Sequence, residues 1–199
     1  MIFCAIDLSI TSPGIAIHGI NNKILLLSHS EHIKQHIVKF NNVIDIRLIA
    51  NTYKHKHTKE AYFKRIKYNA EMIVGIINDI IKDNKDVHFY IEGYSFSARG
   101  MIFDIAELTG IVKYLLEQQY NININIVEPS VIKKFATGKG NASKQQMRDA
   151  IKNVPEVFEL YQQIAPLLQG RSKKNFTSES PLADLTDAYY LLQYALSRK

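Results

Sequence analysis

The chain has 199 residues, of which 46% are apolar and 22% charged, with nine Gly, five Pro and a formal net charge of +6. This composition is typical of a globular domain and excludes long disordered or low-complexity segments, while a single cysteine, Cys4, excludes a disulfide scaffold and a metal site built from cysteines. No apolar run reaches the roughly 18 residues of a membrane span and no basic region precedes the N-terminal apolar stretch, so we expect no membrane partner, no signal peptide and a cytoplasmic protein.

Short apolar runs separated by turn residues open the chain. The runs at 2–7, 15–20 and 23–28 are joined by turns rich in Ser, Pro, Gly and Asn, which predicts a meander of three antiparallel strands. Segment 29–58 is polar and irregular apart from an apolar piece at 43–50. We predict an insertion or an extra strand there.

Helices and strands alternate in the middle of the chain. Apolar residues spaced three and four apart predict amphipathic helices over 60–82 and 102–120, and apolar runs predict strands over 87–92 and 122–126. The order predicts an α/β fold. Its five-stranded mixed sheet combines the meander with two parallel strands reached through helical crossovers, and helices cover both faces.

Helix-start signals follow the last predicted strand. Pro129 suits the first position of a short helix over 130–136. Ser143 and Gln146 have the spacing of a capping box, in which each side chain bonds the other residue's backbone N–H, so another helix follows Ser143.

The last helix is predicted to start with Ser180 as its N-cap and Pro181 as its first residue. No internal repeat or linker divides the chain. We therefore expect a single domain over 1–199, with possible insertions at about 29–58 and 154–179.

Basic residues are clustered along the chain. Between residues 47 and 67 there are seven basic side chains and one acid, interleaved with aromatic residues, and Lys64, Arg65 and Lys67 belong to this cluster. A second cluster consists of Lys133, Lys134, Lys139, Lys144, Arg148 and Lys152. Basic patches with aromatic residues suit the phosphates and bases of a nucleic acid. A solvated helical face accounts for the composition equally well.

Four acidic residues occupy positions where a structural role is hardest to find. Asp7 and Glu92 each end an apolar strand, and both emerge at one sheet edge if those strands are neighbours. Asp184 and Asp187 share one face of the last helix, which continues into apolar residues. Converging carboxylates repel unless a cation lies between them, and hard oxygen ligands favour Mg²⁺ or Mn²⁺. Two such ions about 4 Å apart are the standard means of cutting a phosphodiester.

Each acid also has an ordinary structural explanation. Asp7 could be a turn residue, and Asp184 falls in the first turn of a helix, where a carboxylate interacts favourably with the helix dipole. One by one, these explanations are at least as good as a metal site. For all four acids together, on a basic chain with this element order, the metal interpretation is favoured.

Four stretches, taken in order, carry a resemblance to a known family. They are 4–16 with Asp7, 90–112 with Glu92, the lysine-bearing segment 129–144, and the Asp-x-x-Asp-Ala pattern at 184–188. This ordered set resembles the motif regions of RuvC-type Holliday junction resolvases, particularly bacteriophage or viral members, within the ribonuclease-H-like superfamily.

The resemblance implies a ribonuclease-H-like fold and a homodimeric endonuclease acting on four-way DNA junctions. Paired symmetric nicks would leave 5′-phosphate and 3′-hydroxyl ends. Asp7, Glu92, Asp184 and Asp187 are expected to ligate two Mg²⁺ ions per active site, with Mn²⁺ as a substitute, and Lys144 is expected to act beside the cut phosphate.

The expected DNA contacts combine the resemblance with the two basic clusters. They are Lys133, Lys134, Lys139, Lys144, Arg148, Tyr94, Phe96, Lys64, Arg65 and Lys67. The two aromatic residues occupy positions where the family places an aromatic ring near the opened junction, so stacking on an unpaired base is one expectation and ordinary packing is the other.

Three alternative functions remain open. One is a nuclease of the same superfamily that cuts the RNA strand of an RNA–DNA hybrid, which would read A-form shape and 2′-hydroxyls. Another is an actin-like sugar kinase or ATPase, although 199 residues leave little room for its additional nucleotide loops. The third is a non-catalytic junction-binding module, against which the presence of all four acids argues.

Overall fold

The structure is a computed structural model of the chain, and it describes residues 1–30, 33–51, 53, 59–82, 84–94, 102–168 and 181–198. The strands in these ranges are β1 (Ile2–Asp7), β2 (Gly14–Ile20), β3 (Lys23–Ser30), β4 (Ile37–Phe40), β5 (Ile44–Ala50), β6 (Val87–Glu92) and β7 (Asn125–Val127). The α-helices are α1 (Lys59–Ile81), α2 (Ile102–Tyr120), α3 (Pro129–Thr137), α4 (Lys144–Ile151), α5 (Pro155–Ile164) and α6 (Leu182–Ser197).

The strands form one mixed sheet in the order β4-β5-β3-β2-β1-β6-β7. The predicted meander is confirmed, because β2 pairs antiparallel with both β1 and β3. The two strands reached through helices are parallel, as predicted: β6 pairs with β1, and β7 pairs with β6. The carboxyl ends of β1, β6 and β7 therefore meet at one edge of the sheet.

The prediction of five strands was wrong, since the sheet has seven. The two additional strands, β4 and β5, come from the segment predicted as an insertion or an extra strand. In β5, Ile44, Ile46 and Leu48 alternate with more exposed residues and are buried, so the strand continues the sheet in parallel with β3. Strand β4 pairs antiparallel with β5 and forms the sheet edge.

Several predicted boundaries also move. The strand predicted at 122–126 is β7, which begins at Asn125. The last helix begins at Leu182 with Pro181 as its N-cap, and Ser180 lies outside the described residues. Within the predicted insertion at 154–179, α5 packs four residues into the core, which are Val157, Leu160, Tyr161 and Ile164.

Two apolar cores lie on opposite faces of the sheet, as the alternating strand pattern predicts. Phe3 and Ala5 of β1 face the core that contains α6, whereas Cys4 and Ile6 face the core that contains α1 and α2. Helices therefore cover both faces, and α6 crosses the sheet directly above β1 and β2. Among the described residues, no helix is both long enough and apolar enough to span a membrane.

Candidate metal centre

Two carboxylates meet where neighbouring parallel strands end. Asp7 is the last residue of β1 and Glu92 is the last residue of β6. The register between the strands places Ile6 opposite Ile91, so the two acids follow at equivalent positions. The sequence predicted this juxtaposition on the condition that the strands are neighbours, and the structure fulfils that condition.

Helix α6 brings a third carboxylate to the same place. Oxygen atoms of Asp7, Glu92 and Asp187 all lie within 4.8 Å of one another, and all three side chains are half-buried. These three residues are called the carboxylate triad below. Helix α6 can come this close because Gly14, at the start of β2, has no side chain: a Cβ there would lie 2.1 Å from the carbonyl oxygen of Asp184.

Asp184, the fourth predicted ligand, lies beside the triad and is not part of it. Its Oδ2 accepts a hydrogen bond from the hydroxyl of Ser12, at an oxygen–oxygen distance of 2.6 Å. Its negative charge still acts on the triad, because it raises the pKa values of Asp7, Glu92 and Asp187. The structure therefore separates the two acids of the Asp-x-x-Asp pattern.

The pKa values of all three triad acids are raised. Burial, and then repulsion by Asp187, raises the pKa of Glu92 to about 8. Burial, and then repulsion by Asp184, raises the pKa of Asp187 to about 7. The pKa of Asp7 is also raised, first by burial and then by the charge of Glu92. Desolvation and like charge both oppose ionisation here, and a cation between the carboxylates would relieve both costs.

The donor set fits a hard divalent cation. Oε2 of Glu92 is buried and has no hydrogen-bond partner among the described residues. Three carboxylates with oxygens this close offer only oxygen ligands, which suit Mg²⁺ or Mn²⁺ better than zinc. The triad can therefore bind a metal ion.

Two lysines line a cavity next to the triad. A cavity of about 130 Å³ is lined by Glu92, Asp187, Lys133 and Lys144, with Met147, Arg148, Ala183 and Thr186 completing its wall. Lys133 lowers the pKa values of Glu92 and Asp187, and Lys144 lowers those of Asp7 and Asp187. An anionic group that entered this cavity would meet positive charge next to the triad.

Local structure explains where these lysines lie. Pro129 is the first residue of α3, and the helix ends at Thr137, with Gly138 as its C-cap at a φ of 78°. The predicted capping box is present, with Ser143 and Gln146 bonded reciprocally, so Lys144 is the first residue of α4. Both helices contact α6, and this packing turns Lys133 and Lys144 toward the acids of that helix.

The other predicted DNA contacts occupy varied positions. Arg148 lines the cavity beside the triad and its guanidinium bonds Gln145, whereas Lys134 and Lys139 are exposed outside it. Lys64 and Lys67 are exposed on α1.

Arg65, unlike the exposed lysines of α1, is buried, with only 8% of its surface exposed. Tyr94 is 39% exposed and lines a second cavity, which also includes Glu92. Phe96 lies outside the described residues.

Sequence reasoning missed Ser12 altogether. The residue lies in the turn between β1 and β2, where Ser-Pro-Gly is a common turn sequence, and its partner is 172 positions away in the chain. No local signal distinguishes it from any other turn serine.

Comparison with solved structures finds a similar fold. RuvC of Thermus thermophilus matches 100% of this chain and 96% of its own, with a TM-score of 0.53 and 14% sequence identity. The same protein in complex with Holliday junction substrate matches 100% of this chain and 96% of its own, with a TM-score of 0.49 and 10% identity. Ydc2, the yeast mitochondrial Holliday junction resolvase, matches 98% of this chain and 80% of its own, with a TM-score of 0.48 and 10% identity.

Sequence comparison finds neither a matching protein-family model nor a matching curated protein. The match to T. thermophilus RuvC shows that the chain has a RuvC-type fold, as the sequence resemblance predicted.

Proposed function

We propose that this chain is a metal-dependent, structure-selective DNA endonuclease that resolves four-way junctions by paired symmetric nicks. Hydrolysis of the phosphodiesters would leave 5′-phosphate and 3′-hydroxyl ends. The observation that carries the proposal is the carboxylate triad at the carboxyl ends of β1 and β6, with two lysines beside it, on a RuvC-type fold. The whole chain, residues 1–199, would form the nuclease domain.

The acids would hold the metal. Asp7, Glu92 and Asp187 supply the closest oxygens, and Asp184 lies next to them as a fourth ligand for a second ion. Mg²⁺ is the expected metal, with Mn²⁺ as a substitute. When bound, the metal supplies Lewis acidity that activates water and stabilises the leaving oxygen.

The lysines would position and stabilise the phosphate. Lys133 and Lys144 line the cavity that contains Glu92 and Asp187, so they can contact the non-bridging oxygens of a phosphate placed there. Because the charge on the phosphate grows during attack by water, a fixed ammonium group favours the transition state over the bound substrate. Lys144 is the residue expected to matter most for rate.

Substrate shape would be read by the basic surface around this cavity. Lys134, Lys139 and Arg148 extend the positive charge beyond the catalytic lysines, and Lys64 and Lys67 add exposed charge on α1. Such residues bind backbone phosphates without reading sequence. T. thermophilus RuvC, which has the same fold, has been solved in complex with Holliday junction substrate. A homodimer is proposed because a two-fold protein would match the two strands that must be cut.

The decisive experiment compares substrates of defined shape. Synthetic four-way junction, flap, fork, linear duplex and RNA–DNA hybrid are each incubated with the full chain and Mg²⁺. We expect paired nicks at symmetric positions on the junction and little cleavage of the duplex. Preferential cleavage of the hybrid would assign the chain to the ribonuclease-H alternative, and junction binding without cleavage in either metal would indicate a non-catalytic module.

The state of assembly is tested separately. Sedimentation of the chain alone and with junction should give a dimer if two sites act on one junction. A monomer that still cuts both strands in a single binding event would remove the dimer from the proposal.

A further inference from the structure

Ser12 makes a buried contact with an acid of the candidate metal centre. The residue lies between β1 and β2 and is 0% exposed. Its hydroxyl donates to Oδ2 of Asp184 over 2.6 Å, a length typical of an O–H donor bonded to a charged carboxylate. The bond joins the turn that follows Asp7 to the first turn of α6.

The backbone of the same turn also contacts Asp184. The position a Cβ would take on Gly14 is 2.1 Å from the carbonyl oxygen of Asp184 and 2.5 Å from its carbonyl carbon. The turn therefore lies against the main chain of Asp184 at Gly14 and bonds its side chain through Ser12. This double contact holds the residue beside the triad.

Asp184 needs such a restraint. It raises the pKa of Asp187, one turn further along α6, because the two negative charges repel. Without a donor on Oδ2, repulsion would favour side-chain rotamers that carry this carboxylate away from the triad. A hydrogen bond that holds the carboxylate in place means that its side-chain conformational entropy is lost when the chain folds. That entropy is then not lost again when the metal binds, so binding is tighter.

We infer that Ser12 is a positioning residue, which holds the Asp184 carboxylate where it completes the metal centre. This inference rests on the proposed function, because it takes the four acids as the site of a divalent cation. The hydroxyl of Ser12 bonds Asp184, which is not a member of the triad, so Ser12 acts through Asp184. Outer-shell partners of metal ligands typically change metal affinity or activity by about 10- to 100-fold when removed.

The test measures Mn²⁺ binding to the full chain by titration calorimetry, without DNA. Ser12→Ala should weaken binding by about 10-fold or more. Ser12→Cys keeps most of the side-chain volume and has a weak donor, so it should also weaken binding. Ser28→Ala is the matched control: Ser28 is equally buried, and its hydroxyl has no hydrogen-bond partner among the described residues. The control should bind Mn²⁺ like the wild type.

A double-mutant cycle shows whether Ser12 acts through Asp184. In an Asp184→Ala background, Ser12→Ala should cause no further loss of Mn²⁺ affinity, because the acceptor is already gone. An equal loss in both backgrounds would mean that Ser12 supports the fold in general, and it would overturn the inference. Thermal unfolding of each variant verifies that the compared proteins are folded.

The outcomes separate this inference from the proposed function. If Asp7→Asn loses Mn²⁺ binding while both Ser12 variants bind like the wild type, the positioning role is overturned and the metal centre stands. If Asp7→Asn also binds like the wild type, the metal centre itself is overturned. A loss in both Ser12 variants with the Ser28 control unchanged supports the inference.

Discussion

Asp7 and Glu92 end neighbouring parallel strands, and their carboxylate oxygens lie within 4.8 Å of each other. The hydrogen-bond ladder of the sheet fixes the backbone positions of both residues, so the pair does not depend on a loop. A site that holds two like charges this close is costly in an empty protein. A cation between the carboxylates would offset this cost.

Asp7→Asn should abolish cleavage of a four-way junction. The substitution keeps the size of the side chain and removes the charge of an acid whose pKa is raised by each of the other three. We expect the single-turnover rate with Mg²⁺ to fall by more than about 100-fold, because even outer-shell partners of metal ligands are worth up to that factor. Junction affinity measured without metal should hardly change, since the basic surface is intact.

Asp79→Asn is the control for this variant. Asp79 is exposed on α1 and lines a different cavity, together with Ile20 at the far end of β2. The same change of charge there should leave the rate unaltered. If Asp7→Asn lost binding and kept its rate per bound complex, the catalytic role of the triad would be refuted.

Metal binding should change how stability depends on pH. The pKa values of Glu92 and Asp187 are raised to about 8 and about 7 from ordinary values of 4.5 and 3.8. The folded protein therefore holds protons that the unfolded chain releases, and in a chelator its stability should fall as pH rises from about 4 to about 8. Mg²⁺ should raise Tm by several degrees at pH 8 and have little effect at pH 5, where protons compete for the same oxygens.

Asp187→Asn tests the origin of this dependence. The variant removes one titrating group and part of the repulsion on Glu92, so its stability in chelator should decline less steeply toward pH 8. Thermal unfolding across the pH range, with and without Mg²⁺, measures both effects. If Mg²⁺ raised the Tm of the wild type and of the variant equally, the ion would bind at a site other than the triad.

Lys144→Ala should reduce the rate of cleavage more than the affinity for DNA. The ammonium group lines the cavity beside the carboxylate triad and lowers the pKa values of Asp7 and Asp187, so it lies where the proposed function places the phosphate. Loss of one such group from a reacting oxyanion typically costs about 100-fold in rate. Single-turnover kinetics at saturating protein isolates this step.

Lys134→Ala provides the comparison, because Lys134 is the next residue after Lys133 on α3 and is exposed outside the cavity. It should weaken junction binding slightly and reduce its salt dependence, with the rate unchanged. Equal single-turnover rates for Lys144→Ala and the wild type would contradict the catalytic assignment.

The sequence predicted those parts of the centre that depend on local pattern. Asp7 and Glu92 are the last residues of apolar strands, and the capping box of Ser143 and Gln146 places Lys144 at the start of α4. Both features are specified by residues close together in the chain. For the same reason the meander was predictable, whereas the parallel direction of β6 and β7 was predicted from the helical crossovers that precede them.

Features that depend on distant partners were not predictable. The spacing of Asp184 and Asp187 puts both on one helical face, and it does not show that Asp187 joins the triad while Asp184 accepts a hydrogen bond from Ser12. Strand β4 has four residues, which is too short for alternation to be recognised, and it exists because β5 offers it an edge. Tertiary pairing decides both cases.

His29→Leu should remove an acid-sensitive side chain from the core. His29 is 0% exposed in β3, and neither ring nitrogen has a hydrogen-bond partner among the described residues. Burial lowers its pKa to about 4, so the folded protein holds it neutral. Between pH 6.5, the ordinary pKa of histidine, and about pH 4, His29 is protonated in the unfolded chain and neutral in the folded chain. The free energy of unfolding therefore decreases as pH falls toward 4.

At pH 4 this difference in protonation lowers the free energy of unfolding by about 3 kcal/mol relative to neutral pH. Denaturant unfolding at pH 7 and at pH 4.5 should show a smaller pH dependence in His29→Leu, with stability at pH 7 equal to or above that of the wild type because two unsatisfied nitrogens are gone. His36→Leu, at an exposed position, should keep the acid sensitivity of the wild type. Identical pH profiles for His29→Leu and the wild type would refute the assignment.

Gly14→Ala should destabilise the fold because β2 and α6 touch at this residue. The added Cβ would lie 2.1 Å from the carbonyl oxygen of Asp184, and a backbone atom cannot move aside as a flexible side chain can. We expect a loss of about 3 kcal/mol or more in the free energy of unfolding, at the upper end of overpacking effects. Gly75→Ala is the opposite case, since nothing lies within 4 Å of its Cβ position on α1 and alanine favours a helix by about 0.5–1 kcal/mol. In denaturant unfolding, the free energy of unfolding should therefore be lower than that of the wild type for Gly14→Ala and higher for Gly75→Ala. A Gly14→Ala protein as stable as the wild type would show that α6 does not pack this closely on β2.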